Sequence, residues 1–230
     1  MNTAPVRLIV DRLPFWSKLS ASEKTVVSER SVIKYFAKGD LVSSNGSACL
    51  GIVFILDGEI RVSMTSEDAR EITLYRAEKD ELCVSTASCV IHQLTFETEV
   101  SAVKDTTVLV VPASICGQLM ESNIHVKALV FEKETERFSQ TLWALQMMLF
   151  KKFDQRLASY FVAAYEKSGK LEIQKTQEEI ARDVNSAREV VARMLREFSA
   201  KGLVNVKRGA IHFLDIEGLK KIGSSPRSSL

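Results

Sequence analysis

Arg188, Glu189, Arg193 and Arg196 stand close together in the stretch ARDVNSAREVVARMLREFSAK, and their side chains suit one kind of chemistry. A guanidinium can donate two parallel hydrogen bonds to O6 and N7 of guanine, and a carboxylate can accept from N4 of cytosine. Each good bidentate pair discriminates by roughly 1–3 kcal/mol. The elements that would position these groups are legible around them. Val191, Met194, Leu195 and Phe198 fall at i, i+3, i+4 and i+7, the spacing of a buried helix stripe, which leaves the arginines outward. Ser186 with Glu189 three residues on predicts a capping box at the start of this helix. Upstream, Thr176 is placed to cap a first helix that has Glu178 and Glu179 in its opening turn and Ile180, Ala181 and Val184 inward. Asn185 tolerates the tight turn between the two helices. A surface helix with merely solvated charges is the competing reading.

A second group with chemical potential is the run Cys83-Val84-Ser85-Thr86-Ala87-Ser88-Cys89-Val90-Ile91-His92. Two thiols and an imidazole so close invite a metal, haem or redox site. Geometry weighs against it. Six residues apart, the sulfurs would be about 20 Å apart on an extended strand and would point about 120° apart on a helix. Only a turn through residues 85–88 would unite them, and the competing reading is that small Cys, Ser and Ala side chains fill a β interior. Cys49 and Cys116 read as structural.

After the second helix, Gly202 and two β-rich runs flank Arg208-Gly209, which is a hairpin signal. Such a hairpin would bring Lys207 and Arg208 near phosphate. Here the sequence resembles a known family: EIARDVNSAREVVARML is similar to the winged helix-turn-helix of the Crp/Fnr superfamily of bacterial transcription regulators. The family's Arg-Glu-x-x-x-Arg pattern falls on Arg188, Glu189 and Arg193. The resemblance implies double-stranded DNA as partner and a TGTGA-like half-site. With Thr176, Gln177, Ser186, Arg196, Lys207 and Arg208, these residues form the expected DNA-binding set.

From residue 31 to 111, short β-branched and aromatic runs alternate with turn signals at Lys38-Gly39-Asp40, Asn45-Gly46 and Asp57-Gly58, a texture of rolls and barrels. The segment FAKGDLVSSNGSACLGIVFILDGEIRV resembles the opening of a cyclic-nucleotide-binding β-roll. In that resemblance, cyclic-AMP-binding members hold the cyclic phosphate with Gly-Glu and then Arg-Ser. This chain has Asp80-Glu81 and Phe96-Glu97 at those places, and a carboxylate there repels phosphate. Cyclic AMP is therefore disfavoured, and the effector candidates are Cys83, Cys89, His92, Phe96 and Glu97. Haem-binding relatives make His92 and Cys83 candidate ligands. The alternatives retained are a haem- or thiol-based gas or redox sensor and a cyclic-nucleotide-responsive activator; no metal is assigned.

Between roll and reader, Ile124, Phe131, Phe138 and Leu145 recur every seven residues beside a second row of Ala128, Thr135, Leu142 and Leu149. A sustained heptad predicts a helix paired in parallel with its own copy; packing on its own roll is the competing reading. Asp154 is expected to cap the next helix.

The fold class expected is α+β: a jelly-roll-like antiparallel β-roll, a long dimerisation helix and a winged helix-turn-helix. Its boundaries are 1–115 (an N-terminal arm and the effector-sensing roll), 116–152 (dimer helix and hinge), 153–222 (DNA-binding domain) and 223–230 (a disordered tail). The 230 residues are 46% hydrophobic, enough for two cores. The net charge of +2 divides unevenly, −4 over residues 1–150 and +5 over 151–222, which fits nucleic-acid contact by one end. No apolar run is long enough to span a membrane, no secretory leader is evident, and four cysteines in such a chain read as reduced thiols. The expectation is a cytoplasmic homodimeric regulator that meets RNA polymerase and an unknown small effector. No enzymatic constellation stands out, since His92, His125 and His212 are scattered.

Overall fold

The computed structural model describes residues 4–43, 50–66, 71–84 and 98–224. They fall into two units, residues 1–70 with 74–141 and residues 71–73 with 142–230.

The chain opens with α1 (Ala4–Arg7), two short 3-10 turns and α2 (Ala21–Arg30). Ser20 caps α2 through a reciprocal box with Glu23. Among the described residues, eight strands follow: β1 (Val32–Phe36), β2 (Leu41–Ser43), β3 (Gly51–Asp57), β4 (Glu59–Thr65), β5 (Glu71–Glu78), β6 (Leu82–Cys83), β7 (Glu99–Ala102) and β8 (Thr106–Pro112). They form two four-stranded sheets, ordered β1-β8-β3-β6 and β2-β7-β4-β5. Next come α3 (Ala113–Ser122) and the 27-residue α4 (Ile124–Phe150).

β3 accounts for the layering. Its run GIVFILD is apolar almost throughout, as a strand covered on both faces requires. Ile52, Phe54 and Leu56 pack with residues of α1 to α4, whereas Val53 and Ile55 line the roll interior with Ile60, Val62, Tyr75, Cys83 and Val100. β8 divides likewise, with Leu109 and Val111 toward the helices and Val108 and Val110 inward. The helix-side cluster also corrects the reading of the opening residues as an arm. Val6 and Val10 are buried in it, because the outer face of β3 and β8 exposes apolar area that must be covered.

Two glycines are dictated by close approach. Gly51 and Gly58 have φ of +101° and +102°, a region that only glycine enters cheaply. A Cβ on Gly51 would lie 2.1 Å from the Val111 carbonyl oxygen. Gly51→Ala is therefore expected to cost about 3 kcal/mol or more, read as a shift of the urea midpoint at unchanged slope.

Asn123 breaks the helical stretch in two. Its Oδ1 accepts from the amides of His125 and Val126 and so caps α4. Ile115, Cys116 and Leu119 of α3 are buried against the roll, so the heptad helix begins at 124 rather than 116.

The second unit continues with α5 (Phe153–Ser168), β9 (Glu172–Ile173), α6 (Gln177–Asp183), α7 (Arg188–Ala200), β10 (Val204–Lys207), β11 (Ala210–Phe213) and α8 (Ile216–Ser224). Asp154 does not cap α5 but lies inside its first turn, where Lys152 N donates to Gln155 Oε1 at 3.1 Å. Gly169, at φ +68°, ends the helix. α8 runs through Gly223 and Ser224, past the expected start of the tail, because Gly223 is buried where a Cβ would lie 2.9 Å from Ser159 Oγ. Residues 225–230 lie outside the described residues.

Candidate nucleic-acid interface and effector site

The candidate DNA-reading surface is built on a small apolar core. Leu157 and Phe161 of α5, Ile180, Ala181 and Val184, Val191, Leu195 and Phe198 of α7, and Val204, Ile211 and Phe213 of the hairpin are buried together. Thr176 Oγ1 accepts from Glu179 N at 3.2 Å while Thr176 N donates to Glu179 Oε2 at 2.9 Å, closing a capping box on α6. Val184 ends that helix, and Asn185, at φ +51°, reverses the chain.

α7 begins differently from the sequence expectation. Its N-cap is Ala187, with no side-chain cap bond, so the Ser186–Glu189 box does not form. The turn places Ser186 N on the Ala181 carbonyl at 2.9 Å instead. Glu189 is consequently not folded back on Ser186, and its carboxylate is exposed beside Arg188 in the first turn. At roughly 100° per residue, Arg188, Ala192, Arg196, Glu189 and Arg193 occupy an arc of about 140°, with Val191, Met194, Leu195 and Phe198 opposite. Arg188, Glu189, Arg193 and Arg196 are all exposed, and Val191, Leu195 and Phe198 are buried.

The hairpin pairs Val204 with Phe213 and Lys207 with Ala210 across Arg208-Gly209, and Gly209 takes φ +75°. Lys207 and Arg208 are exposed at its tip. β9, a third strand on β11, was not foreseen; two residues offer too little periodicity to read. It places Glu172 beside His212 at 3.4 Å, which gives His212 a sheet-pairing role.

A polar knot holds α6 to α5. Asp183 Oδ2 accepts from Tyr160 Oη at 2.6 Å and from Lys175 Nζ at 2.5 Å, and the Lys175 ammonium lies over the Tyr160 ring. The Asp183 side chain is 4% exposed. Asp183→Ala should cost about 2–3 kcal/mol, measured by urea unfolding, because the hydroxyl and ammonium donors are left without their acceptor.

In the first unit, the candidate Cys83 and the structural Cys116 are both enclosed. Cys83 is fully buried on β6, opposite Val53, with its sulfur 3.8 Å from Tyr75 Oη. Cys116 Sγ takes the Ile52 amide at 3.3 Å and donates to the Val111 carbonyl at 3.1 Å, and burial pushes its pKa up to about 12. Burial keeps both sulfurs from reagent, and for Cys116 the raised pKa also withholds the reactive thiolate, so neither thiol is expected to react with iodoacetamide at pH 8 until the protein is unfolded, a mass-spectrometric check. Cys49, Cys89, His92, Phe96 and Glu97 lie outside the described residues.

The structure does bring together a group that the sequence reading missed. Arg137 of α4, 6% exposed, sits over the Tyr75 ring at 4.7 Å. Its Nη1 donates to Gln140 Oε1 at 3.0 Å and to the Arg76 carbonyl at 3.4 Å, and its Nη2 lies 3.4 Å from Glu81 Oε2. The signal was available: Val126, Val130 and Arg137 share one face, so an arginine occupies the buried stripe of an amphipathic helix. The heptad residues take the other side. Ile124, Phe138 and Leu149 are more than half exposed, and Phe131, Leu142 and Leu145 are exposed at 39–48%.

Comparison with known proteins bears on both units. A family described as the Crp-like helix-turn-helix domain matches residues 155–222, and the cyclic nucleotide-binding domain family matches residues 33–123. A crystal structure of a Crp/Fnr-family transcriptional regulator from Eubacterium rectale is 32% identical with a TM-score of 0.86, covering 94% of this chain and 100% of that one. FixK2 from Bradyrhizobium japonicum shares the fold, at 11% identity and a TM-score of 0.69 over 85% of this chain and 98% of that one. The transcriptional regulator SdrP from Thermus thermophilus is 36% identical over 62 residues, 27% of this chain and 31% of that protein. The matched segment thus spans less than a third of SdrP.

Proposed function

The chain belongs to the Crp/Fnr family of transcription regulators, and from that premise we propose that it is a homodimer whose α7 helices read a palindromic TGTGA-like DNA site under control of a small effector or redox signal in the roll. The observation that carries the reading is the division of α7, with Val191, Leu195 and Phe198 buried and Arg188, Glu189, Arg193 and Arg196 exposed. A helix held by one face and charged on the other can enter a major groove while its fold stays intact. The exposed Glu189, unburdened by a capping role, is available to accept from cytosine N4.

The exposed heptad of α4 supports the dimer. Ala128, Thr135, Leu142 and Leu149 take the a positions and Phe131, Phe138 and Leu145 the d positions of a parallel pair. Two reading helices about 34 Å apart then meet half-sites one turn of DNA apart. The effector shifts this arrangement only by its differential affinity for two states. RNA polymerase is the remaining expected partner. Among the described residues no helix is long and apolar enough to cross a membrane.

The test is a fluorescence-anisotropy titration of the full-length protein with a duplex carrying two inverted TGTGA half-sites and with a scrambled duplex of equal length. The reading requires tighter binding to the palindrome at physiological salt, and equal affinities at every salt concentration would overturn it.

A further inference from the structure

Two residues, Lys151-Lys152, make up the whole joint between α4 and α5. The end of α4 from Leu142, the joint itself, α5 and α8 all belong to one unit. Lys152 is exposed, but Lys151 is half-buried and its ammonium reaches a partner far along the chain. Its Nζ donates to the Gly223 carbonyl at 2.5 Å, 72 residues away. That carbonyl lies in the last turn of α8, where the final four carbonyls of a helix have no partner within it. A lysine suits the place, since an ammonium there takes up an orphan acceptor and meets the negative end of the helix dipole.

α8 is in turn fixed to α5. Leu219 is fully buried with Leu157, Ala158 and Phe161, and the contact at Ser159 leaves no room for a Cβ on Gly223. The Lys151 amide donates to the Met147 carbonyl at 3.2 Å, so the same residue also finishes α4. These contacts close a triangle: α4 ends in Lys151, Lys151 holds the last turn of α8, and α8 packs along α5. A joint of two residues can absorb a change of angle through a few dihedrals; the third side of the triangle removes that freedom.

We propose that Lys151 is a positioning residue for DNA reading: by holding the last turn of α8 it fixes the angle at which α5, and with it α7, leaves α4. This rests on the chain being a dimeric regulator that reads two half-sites. Val191, Leu195 and Phe198 of α7 share one core with Leu157 of α5 and Leu219 of α8, so α7 follows α5. In a dimer paired along α4, a fixed angle on each side fixes the distance and rotation between the two reading helices. The brace thereby decides which spacing between half-sites is accepted, a part of specificity that the exposed arginines of α7 do not carry.

The experiment compares the full-length parent with Lys151→Met, Lys151→Arg and Lys152→Met, each confirmed as folded by circular dichroism. Anisotropy is titrated with inverted TGTGA half-sites centred one helical turn apart, with the same palindrome lengthened by two base pairs at its centre, and with a single half-site. Two base pairs displace the second half-site by about 7 Å and turn it by about 70°. The parent is expected to prefer the first duplex, and in Lys151→Met that preference falls by about tenfold while affinity for the single half-site is unchanged. Lys151→Arg, which keeps a donor for the carbonyl, restores the preference; Lys152→Met, which removes an equal charge one residue away, keeps it. Hydrogen exchange read by mass spectrometry needs no DNA: in Lys151→Met the amides of residues 147–156 exchange faster and those of α7 do not. Gly223→Ala, which displaces the carbonyl from the other side, is expected to reproduce both effects. Affinity lowered equally for all three duplexes, or exchange at the joint equal to the parent's, overturns the inference. A selective parent whose spacing preference persists in Lys151→Met overturns this inference alone. A parent without site-selective binding overturns the regulator reading and with it the spacing role, while exchange at the joint still decides whether Lys151 braces it.

Discussion

Arg188→Ala and Arg193→Ala are each expected to lose about 1–3 kcal/mol of preference for the TGTGA-like half-site, a loss counted in both half-sites of a palindrome. Both side chains are exposed on a face opposite the buried Val191, Leu195 and Phe198, so the substitutions leave the core untouched and the change is confined to recognition. Binding to scrambled DNA persists with nearly the parental dependence on salt, because a base contact carries specificity whereas a phosphate contact carries the salt slope. Lys207→Ala or Arg208→Ala at the hairpin tip is the contrast: affinity falls for every duplex, and each substitution lowers the salt slope by about one. Parental discrimination in both Arg188→Ala and Arg193→Ala would refute the base-reading assignment.

Phe138→Glu is expected to have the larger effect on assembly. Phe138 is 63% exposed and sits in the middle of the d row, between Phe131 and Leu145. In a parallel helix pair it would meet its own copy, and a carboxylate there would be desolvated against a like charge. The penalty of several kcal/mol per charge buried unpaired exceeds what one heptad contributes. Sedimentation velocity at micromolar concentration should then show a monomer, and the palindrome should bind no better than a single half-site. Glu136→Gln, on the exposed surface of the same helix outside both heptad rows, is the matched control and should remain dimeric. A dimeric Phe138→Glu protein with parental affinity would remove the heptad from the mechanism.

How far the sequence reached varies with the range of the interactions involved. The helix-turn-helix was legible to the residue at several points. Thr176 caps α6 with Glu179, Asn185 adopts the left-handed turn, and Val191, Leu195 and Phe198 form the buried stripe. These are local events, decided by residues within one or two turns of each other. The same local reasoning failed at Ser186, where a capping box was available in the sequence but Ala187 became the N-cap. There the Ser186 amide is taken by the Ala181 carbonyl, a bond that belongs to the turn between two packed helices and not to either helix alone.

For the roll, alternation and glycine turns announced most strands, while β2 and β6, like β9 beside the hairpin of the second unit, have two or three residues each and exist only through their pairing. The opening residues looked like an arm because nothing nearby explains Val6 and Val10. Their partners are on β3 and β8, dozens of residues away. Arg137 is the clearest case. In the sequence its place on the face of Val126 and Val130 marks it for burial but does not name its partners. Only folding places Tyr75, the Arg76 carbonyl and Glu81 around it.

By itself, then, the sequence determined what periodicity and capping can specify: an apolar stripe that commits α7 to bury one side and present arginines on the other, a heptad on α4, and an alternating roll. The tertiary structure decided which groups would be desolvated, because burial is a property of all neighbours at once. That decision buried Cys83 and Cys116, released Glu189 from its cap, and left Nε of the buried Arg137 without a hydrogen-bond partner among the described residues.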